Sequence, residues 1–407
     1  MTVEDKQKQL TEALPKKEFE AELHQLLTWW SHSMVDEENG GFFGRIDGHG
    51  KLYALAPKGI ILNTRILWGF SAAANQCGEE KYTALAKRAY HYLKDHFFDP
   101  EHGGVFWEVN SLGKPCNEQK QVYAQVFAIY ALTEYYQLIG EKSVLQEAEA
   151  IFYLLEKHSR DRTLGGYRNV FEPNWTPAEN QRLSDKDEDQ GKIMNTHLHV
   201  MEAYANLYRV APEPAVAEAL KNSILLILDK FCSRSPRHLY LYFSDDWKPT
   251  SREKSFGHDI ECAWLLREAA HILGEEDLME RVNKIARELA GATLQNGRTP
   301  HGMVYEKQDG KTGELEQELH WWPQAEAVVG FLDAYQHTGE ENFLQASALA
   351  WNGIKAHFRD GEHGEWHWLI DEAGNPLPSH EDKAGPWKAP YHNVRMCLEV
   401  LRRMEEA

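Results

Sequence analysis

No stretch of this 407-residue sequence approaches the roughly 18 consecutive apolar residues that a membrane-spanning helix needs. The opening residues, MTVEDKQKQLTEALPKKEFE, are polar and charged. They lack the apolar run of a secretory signal, so the expected location is cytoplasmic. Cysteine is scarce: Cys77, Cys116, Cys232, Cys262 and Cys397 are odd in number and have no CxxC spacing. That excludes a disulfide framework and a zinc ribbon, and leaves reduced, structural thiols. Positive charge is in deficit, with 44 Lys and Arg against 63 Asp and Glu and a formal net charge of −19. Nucleic acid and anionic membranes are therefore poor partners, because both require local positive charge. No Gly-rich phosphate loop precedes a helix, and neither GxSxG nor HExxH occurs.

Imidazole and indole, by contrast, are plentiful: the chain carries 20 His and 13 Trp. Tryptophan fills helical cores, and it is also a preferred stacking surface for sugars, so both uses stay open. Hydrophobic residues at 42% and charged residues at 26% match a folded globular chain. The length admits two or three ordinary domains or one large barrel.

An internal repeat favours the barrel. A Gly-Gly or similar step followed by aromatics occurs at Gly40-Gly41-Phe42-Phe43, Gly103-Gly104-Val105-Phe106-Trp107 and Gly165-Gly166-Tyr167. It returns at His301-Gly302-Met303-Val304-Tyr305 and Gly364-Glu365-Trp366-His367-Trp368. The leading glycines are 63, 62, 137 and 62 residues apart. The long gap holds a degenerate copy, His238-Leu239-Tyr240-Leu241-Tyr242-Phe243, which makes six. Each copy reads as a small β-hairpin with a Gly-bearing turn. Between the copies lie paired segments of helical periodicity, at 17–33, 63–76, 79–97, 121–139, 141–158, 195–210, 213–232, 257–273, 275–295, 320–338, 340–358 and 391–406. Twelve helices in six pairs predict an all-α chain, a closed (α/α)6 barrel over residues 1–407 as a single domain, with short β-hairpins between outer and inner helices. An open helical solenoid is the structural alternative. The stretch 172–192 reads as a long loop, because the repeat stays in phase on both sides of it.

Polar, chemically capable residues gather at the start of every second helix. They occur in Asn63-Thr64-Arg65, Val122-Tyr123-Ala124-Gln125, Asn195-Thr196-His197-Leu198-His199, Gly257-His258-Asp259-Ile260-Glu261, His320-Trp321-Trp322-Pro323-Gln324-Ala325-Glu326 and Tyr391-His392-Asn393-Val394-Arg395. In a closed barrel these N-termini converge on one mouth, and their free N–H groups suit a substrate that develops negative charge. Helical phase sorts the residues. Asn195 and His199 share a face, as do Trp322 with Glu326, His392 with Arg395, and the stripe His258, Glu261, Trp264, whose indole is expected to contact the substrate. His197 lies about 200° away from His199, so the two cannot chelate a metal together, and no metal is expected. A single His at a helix start is commonly a cap or a satisfied buried group. Three His, one Arg, two Glu and several Trp at equivalent positions have no shared structural reason and indicate a site. Two imidazoles at one cavity suit proton transfer near neutral pH. Glu261 beside His258 is expected to fix its tautomer and raise its pKa, and Arg65 to stabilise an oxyanion.

These motifs, together with Trp387-Lys388 and Pro390-Tyr391-His392-Asn393, make the chain resemble the N-acylglucosamine 2-epimerase superfamily over nearly its whole length. Within that superfamily it most resembles the cellobiose 2-epimerases. The resemblance implies cofactor-independent inversion at C2 of the reducing-end glucose of β-1,4-linked disaccharides such as cellobiose and lactose. His258 and His392 would form the acid/base pair. Arg65, Tyr123, Asn195 and His199 would hold O1 and O2. Glu261 and Glu326 would orient groups in the mouth, Trp322 and Trp387 would bracket the sugars, and Asp187 would reach in from its loop. The implied partner is a small-molecule disaccharide, and the assembly a monomer or weak homodimer. A monosaccharide 2-epimerase or an aldose–ketose isomerase acting on mannose or an N-acyl hexosamine is the alternative within the superfamily. A glycoside hydrolase would want two opposed carboxylates instead of two imidazoles, and a non-catalytic binding protein would not need the His pair.

Overall fold

Two kinds of helix alternate along the chain. The segment from Ile60 to Ala74 is buried at every position, whereas the next helix buries only one stripe, including Tyr82, Ala86, Ala89 and Leu93. A helix apolar all round belongs inside others, and an amphipathic one covers them. The computed structural model describes residues 3–184, 188–232, 237–379 and 381–406. Among these the inner helices are α3 (Ile60–Cys77), α5 (Val122–Ile139), α7 (Met194–Val210), α9 (Phe256–Leu273), α11 (Trp321–Thr338) and α13 (His392–Glu406). The outer ones are α2 (Lys16–Ser33), α4 (Glu80–His96), α6 (Lys142–His158), α8 (Pro214–Leu226), α10 (Glu276–Asn296) and α12 (Glu341–Gly353). Helices α8 and α12 each finish in a π-helical turn, Ile227–Phe231 and Ile354–Phe358. Each inner helix touches its inner neighbours, and α13 touches α3, so the ring is closed rather than a solenoid. The outer partner of α13 is α2, from the opposite end of the chain. Left-handed glycines end four inner helices, at Gly78, Gly140, Gly274 and Gly339, where only glycine adopts the conformation without strain. None of the described helices is long and apolar enough to cross a membrane.

One helix departs from the expected twelve. Helix α1 (Val3–Ala13) precedes the barrel and packs on α12 and α13. Among its described side chains, in the sequence VEDKQKQLTEA, only Leu10 is a large buried anchor, followed by Leu14 just beyond. That is too little apolar periodicity to signal a helix.

The strands pair beyond the expected hairpins. Within a copy the hairpins close through single bridges, as at Phe98↔Val105 and Arg160↔Tyr167, and once through a ladder of Glu108–Val109 with Pro115–Asn117. The other ladders run between neighbouring copies: β2 (Lys58–Gly59) with β3 (Glu108–Val109), β5 (Lys120–Gln121) with β6 (Val170–Phe171), and β7 (Lys192–Ile193) with β8 (Tyr242–Phe243). Then β9 (Lys254–Ser255) pairs β10 (Lys307–Gln308), and β11 (Leu319–His320) pairs β12 (Leu369–Ile370). The last strand, β13 (Asp382–Ala384), pairs back to β1 (Ile46–Asp47). The closing pair joins the two ends of the repeat.

A buried ion pair repeats in the same ring. Lys58 meets Asp36 at 2.7 Å, Lys120 meets Asp99 at 2.7 Å, Lys192 meets Asp161 at 3.1 Å and Lys383 meets Asp360 at 2.6 Å. Each Asp also accepts two turn amides, for example those of Glu101 and His102 on Asp99. Burial of the charges is thereby matched by a counter-ion and by filled lone pairs.

Candidate active site

Every inner helix except α13 starts directly after a ladder strand, which aims its first turn at one mouth of the barrel. The residues ahead of α3, α5, α7 and α11 provide no side-chain cap, and only Ser255 ahead of α9 does. Unused N–H groups therefore face the mouth. A cavity of about 200 Å³ opens there, lined by residues of all six inner helices.

The polar residues at the helix starts divide by direction. One set holds the hairpins. Gln125 accepts the Val105 N–H and donates to its carbonyl, both at 2.8 Å. Gln324 does the same to Val304, at 2.8 and 2.7 Å. Asp259 accepts the Leu239 N–H at 2.8 Å, and His197 Nε2 accepts the Tyr167 N–H at 2.9 Å. This set does have a common structural reason, which its place beside the cavity-facing set conceals in the sequence. His197 donates Nδ1–H to the Ile193 carbonyl at 2.7 Å, so it is fully satisfied away from the cavity.

The other set faces the cavity. His258 on α9 and His392 on α13 flank the indole of Trp322, with ring centroids 4.8 and 5.6 Å from it. Burial lowers both imidazoles to about 3, so both sit neutral when the site is empty. Their supports differ. His392 Nδ1 contacts Glu326 Oε1 at 2.6 Å. An ionised carboxylate only accepts, so Nδ1 carries the proton and Nε2 keeps its lone pair. His258 Nδ1 contacts the Ser255 hydroxyl at 2.7 Å, and that hydroxyl also accepts the His258 backbone N–H at 3.3 Å. Ser255, not Glu261, orients His258, and its pKa is lowered rather than raised. The reason is that Glu261 is claimed from below by Arg395.

Arg395 forms the floor with three carboxylates from three helices. Its Nη2 donates to Glu261 Oε1 at 2.7 Å and Glu326 Oε1 at 2.6 Å, and its Nη1 donates to Glu202 and to the Tyr391 hydroxyl. Glu202 in turn accepts His199 Nδ1 at 2.7 Å and Tyr391 at 2.7 Å. Burial opposes the charge on Glu202, but Arg395 and His199 outweigh it and hold it at about 2. For Glu261, burial and the neighbouring Glu326 carboxylate win, and its pKa is raised. Of the two carboxyls, Glu261 is the one whose surroundings favour a proton. At the wall, Arg65 Nη2 donates to Tyr123 at 3.1 Å, and its guanidinium lies 4.5 Å over Phe127. Neither Arg65 Nε nor Asn195 Oδ1 has a hydrogen-bond partner among the described residues.

Nine of the twelve residues expected at the site line the cavity: Arg65, Tyr123, Asn195, His199, His258, Glu261, Trp322, Trp387 and His392. Two do not. Glu326 lies behind His392. Trp264 donates Nε1 to Glu326 Oε2 at 2.9 Å and lies 4.8 Å beneath the Arg395 guanidinium. It lines a separate cavity of about 890 Å³ at the C-terminal ends of the inner helices. One more helical step past Glu261 carries a residue about 4.5 Å down the axis, which puts Trp264 below the floor and removes it from sugar contact. Asp187 lies outside the described residues. Arg395, Tyr391, His320 and Trp321 stood in the helix-start motifs but had no role assigned, and Glu202, Ser255, Glu306 and Trp368 had none either; of these, Glu306, His320, Trp321 and Trp368 line the wall. The spacings His199-to-Glu202 and His392-to-Arg395 carried the signal for two of them.

Two groups of described residues have the donor types of a metal site. In Glu261, Glu326 and His392, Arg395 already bonds both carboxylates and sets a fixed positive charge against a cation. In Glu306, Glu316 and His320, burial is outweighed by the two carboxylates, which raise His320 to about 9.

The N-acylglucosamine 2-epimerase family model matches residues 41–396. The chain belongs to this family. Within it, the chain is 43% identical over 387 residues to the cellobiose 2-epimerase of Bacteroides fragilis, covering 95% of this chain and 98% of that protein. The solved structure of cellobiose 2-epimerase from Bacillus thermoamylovorans superposes with a TM-score of 0.91 at 35% identity, covering 95% of this chain and 99% of that one. Its (α/α)6 barrel is the fold found here. A D-mannose isomerase superposes with a TM-score of 0.84 at 21% identity over 95% of this chain and 97% of that one, a likeness of fold alone.

Proposed function

We propose that the protein, an isomerase of the carbohydrate-epimerase class, inverts C2 of the reducing-end glucose in β-1,4-linked disaccharides. Cellobiose would become glucosyl-mannose, and lactose would become epilactose. Two observations support the reading. The two relatives above 30% identity named above are cellobiose 2-epimerases. The observation that carries the mechanism is the pair of imidazoles from different helices, His258 and His392, meeting at one indole in one cavity.

The sugar opens to its aldehyde form. One imidazole, neutral, takes the C2 proton and becomes imidazolium, and C2 and C1–O become an enediolate. Rotation about C2–C3 presents the other face. The second imidazole, neutral in the empty site, takes up a proton from solvent once the sugar is bound, delivers it to C2 and ends neutral. The first returns its proton to solvent, so the proton count of the enzyme is unchanged. Burial keeps the accepting imidazole neutral and available. Arg65, with Tyr123, Asn195 and His199 around it, supplies donors for O1 and O2 as negative charge grows. Trp322 and Trp387 offer flat apolar faces to the sugar.

Proton NMR of the protein with lactose in heavy water containing EDTA tests this. The expected result is growth of mannose-type anomeric signals with deuterium at C2. Exchange confined to free mannose or an N-acyl hexosamine would keep the chemistry and overturn the disaccharide. No exchange with any of these sugars would overturn enolisation itself.

A further inference from the structure

We propose that Arg395 is a positioning residue for proton transfer: it holds Glu326 as an ionised acceptor and thereby fixes the His392 tautomer that leaves Nε2 bare. The inference rests on the reading above of His392 as a proton-transfer group.

Arg395 is 2% exposed and is not part of the cavity wall, so it does not reach the sugar. It acts through the oxygen it shares. Glu326 Oε1 receives both Arg395 Nη2 at 2.6 Å and His392 Nδ1 at 2.6 Å. The other edge of the same guanidinium holds Glu202, the acceptor for His199. One planar cation therefore governs the acceptors of two cavity imidazoles.

Removing the guanidinium leaves carboxyl groups from α7, α9 and α11 together in a buried shell. Like charges so placed cannot all ionise, and protons are taken up. A protonated Glu326 turns from acceptor to donor toward His392 Nδ1. The imidazole must then carry its own proton on Nε2, where the lone pair for C2 is needed. A lysine would not replace the arginine fully. Its ammonium is a point charge, whereas the guanidinium presents two donor edges in fixed geometry.

The test uses the full chain labelled with ¹⁵N-histidine, with the His392 signal identified by its loss in His392→Ala. Arg395→Met and Glu326→Met are each expected to lower kcat on lactose by about 10–100-fold, the usual effect of losing such a supporting partner. KM is expected to stay within about threefold, because neither side chain reaches the cavity. In substrate-free Arg395→Met the His392 proton is expected to move to Nε2. Arg395→Lys should recover part of kcat. In the Glu326→Met background, Arg395→Met should cost clearly less than it does alone, because its route through His392 is already cut and only the Glu202–His199 contact remains to be lost. A folded Arg395→Met that keeps near-normal kcat and the Nδ1–H tautomer would overturn the proposal. So would losses that multiply in the double variant. If Arg395→Met does not fold, Arg395→Lys decides: unchanged kcat together with a tightly held Nδ1–H tautomer in that variant is against the proposal. Failure of the epimerase reading is separable, since wild type would then exchange no sugar while the tautomer shift is still read without substrate.

Discussion

In the hairpin ring each buried lysine meets one aspartate: Lys58 with Asp36, Lys120 with Asp99, Lys192 with Asp161 and Lys383 with Asp360. In the floor of the cavity one arginine meets three glutamates. The ring's charges cancel in pairs, and turn amides fill the remaining lone pairs. All four aspartates are held below their usual range, although burial works against them. The floor has too few cations for its carboxylates, so Glu261 keeps a proton. Two cavity imidazoles hang from the other two glutamates. Complete pairing makes a scaffold; incomplete pairing makes a network that can hold and hand on protons.

The sharpest break between the two regions is kinetic. His392→Ala or His258→Ala is expected to slow deuterium entry at C2 by about 10²–10⁴-fold, the usual share of a general acid or base. His197→Ala, whose ring serves the hairpin, should leave the rate within a few-fold. It should instead cost about 1–3 kcal/mol of stability, because the buried Tyr167 N–H loses its acceptor. Urea unfolding beside the exchange assay separates the two outcomes.

A ring charge should be costly in stability alone. Lys120→Met strands the buried Asp99 and is expected to cost about 3–5 kcal/mol, with KM unchanged in the folded fraction. Loss of activity in folded protein would erase the distinction drawn here.

The floor should show itself in the pH dependence of stability. Glu261 has a folded pKa above its unfolded value, because of burial and then Glu326. A group so shifted contributes its stability below the unfolded value and loses it as pH rises through the folded one. The wild-type melting temperature should therefore fall relative to Glu261→Gln as pH is raised past the carboxyl range. Parallel curves would mean that the floor holds no proton.

The smallest effect belongs to neither region. Lys94 and Glu147 pair at 2.7 Å with Lys94 half-exposed. Lys94→Ala should change stability by under about 1 kcal/mol, and less in high salt.

The barrel was readable because the repeat is written in glycines and aromatics at fixed spacing, and because helical periodicity survives in every copy. Ladder partners were not readable. Two-residue strands carry no register signal, so pairing between copies emerges only when the ring closes. Helix α1 lacked the apolar residues to announce itself. At the site, helical phase alone separated His199 from His197, and the structure keeps them apart as expected. Phase says nothing of depth, which is why Trp264 was placed with the sugar instead of below Arg395. It also says nothing about which side chain claims a carboxylate first, which is why Glu261 was assigned to His258.

The amino-acid sequence by itself determined the six-fold repeat, the alternation of buried and amphipathic helices, and the residue types gathered at one mouth. Those are local properties of spacing and composition. Only the tertiary structure decided that Glu326 supports His392 and that Arg395 ties three glutamates from separate helices. Partners 69 and 193 residues apart, as Arg395 is from Glu326 and Glu202, meet because the ring closes, and a buried donor takes whichever acceptor closure brings within about 3 Å.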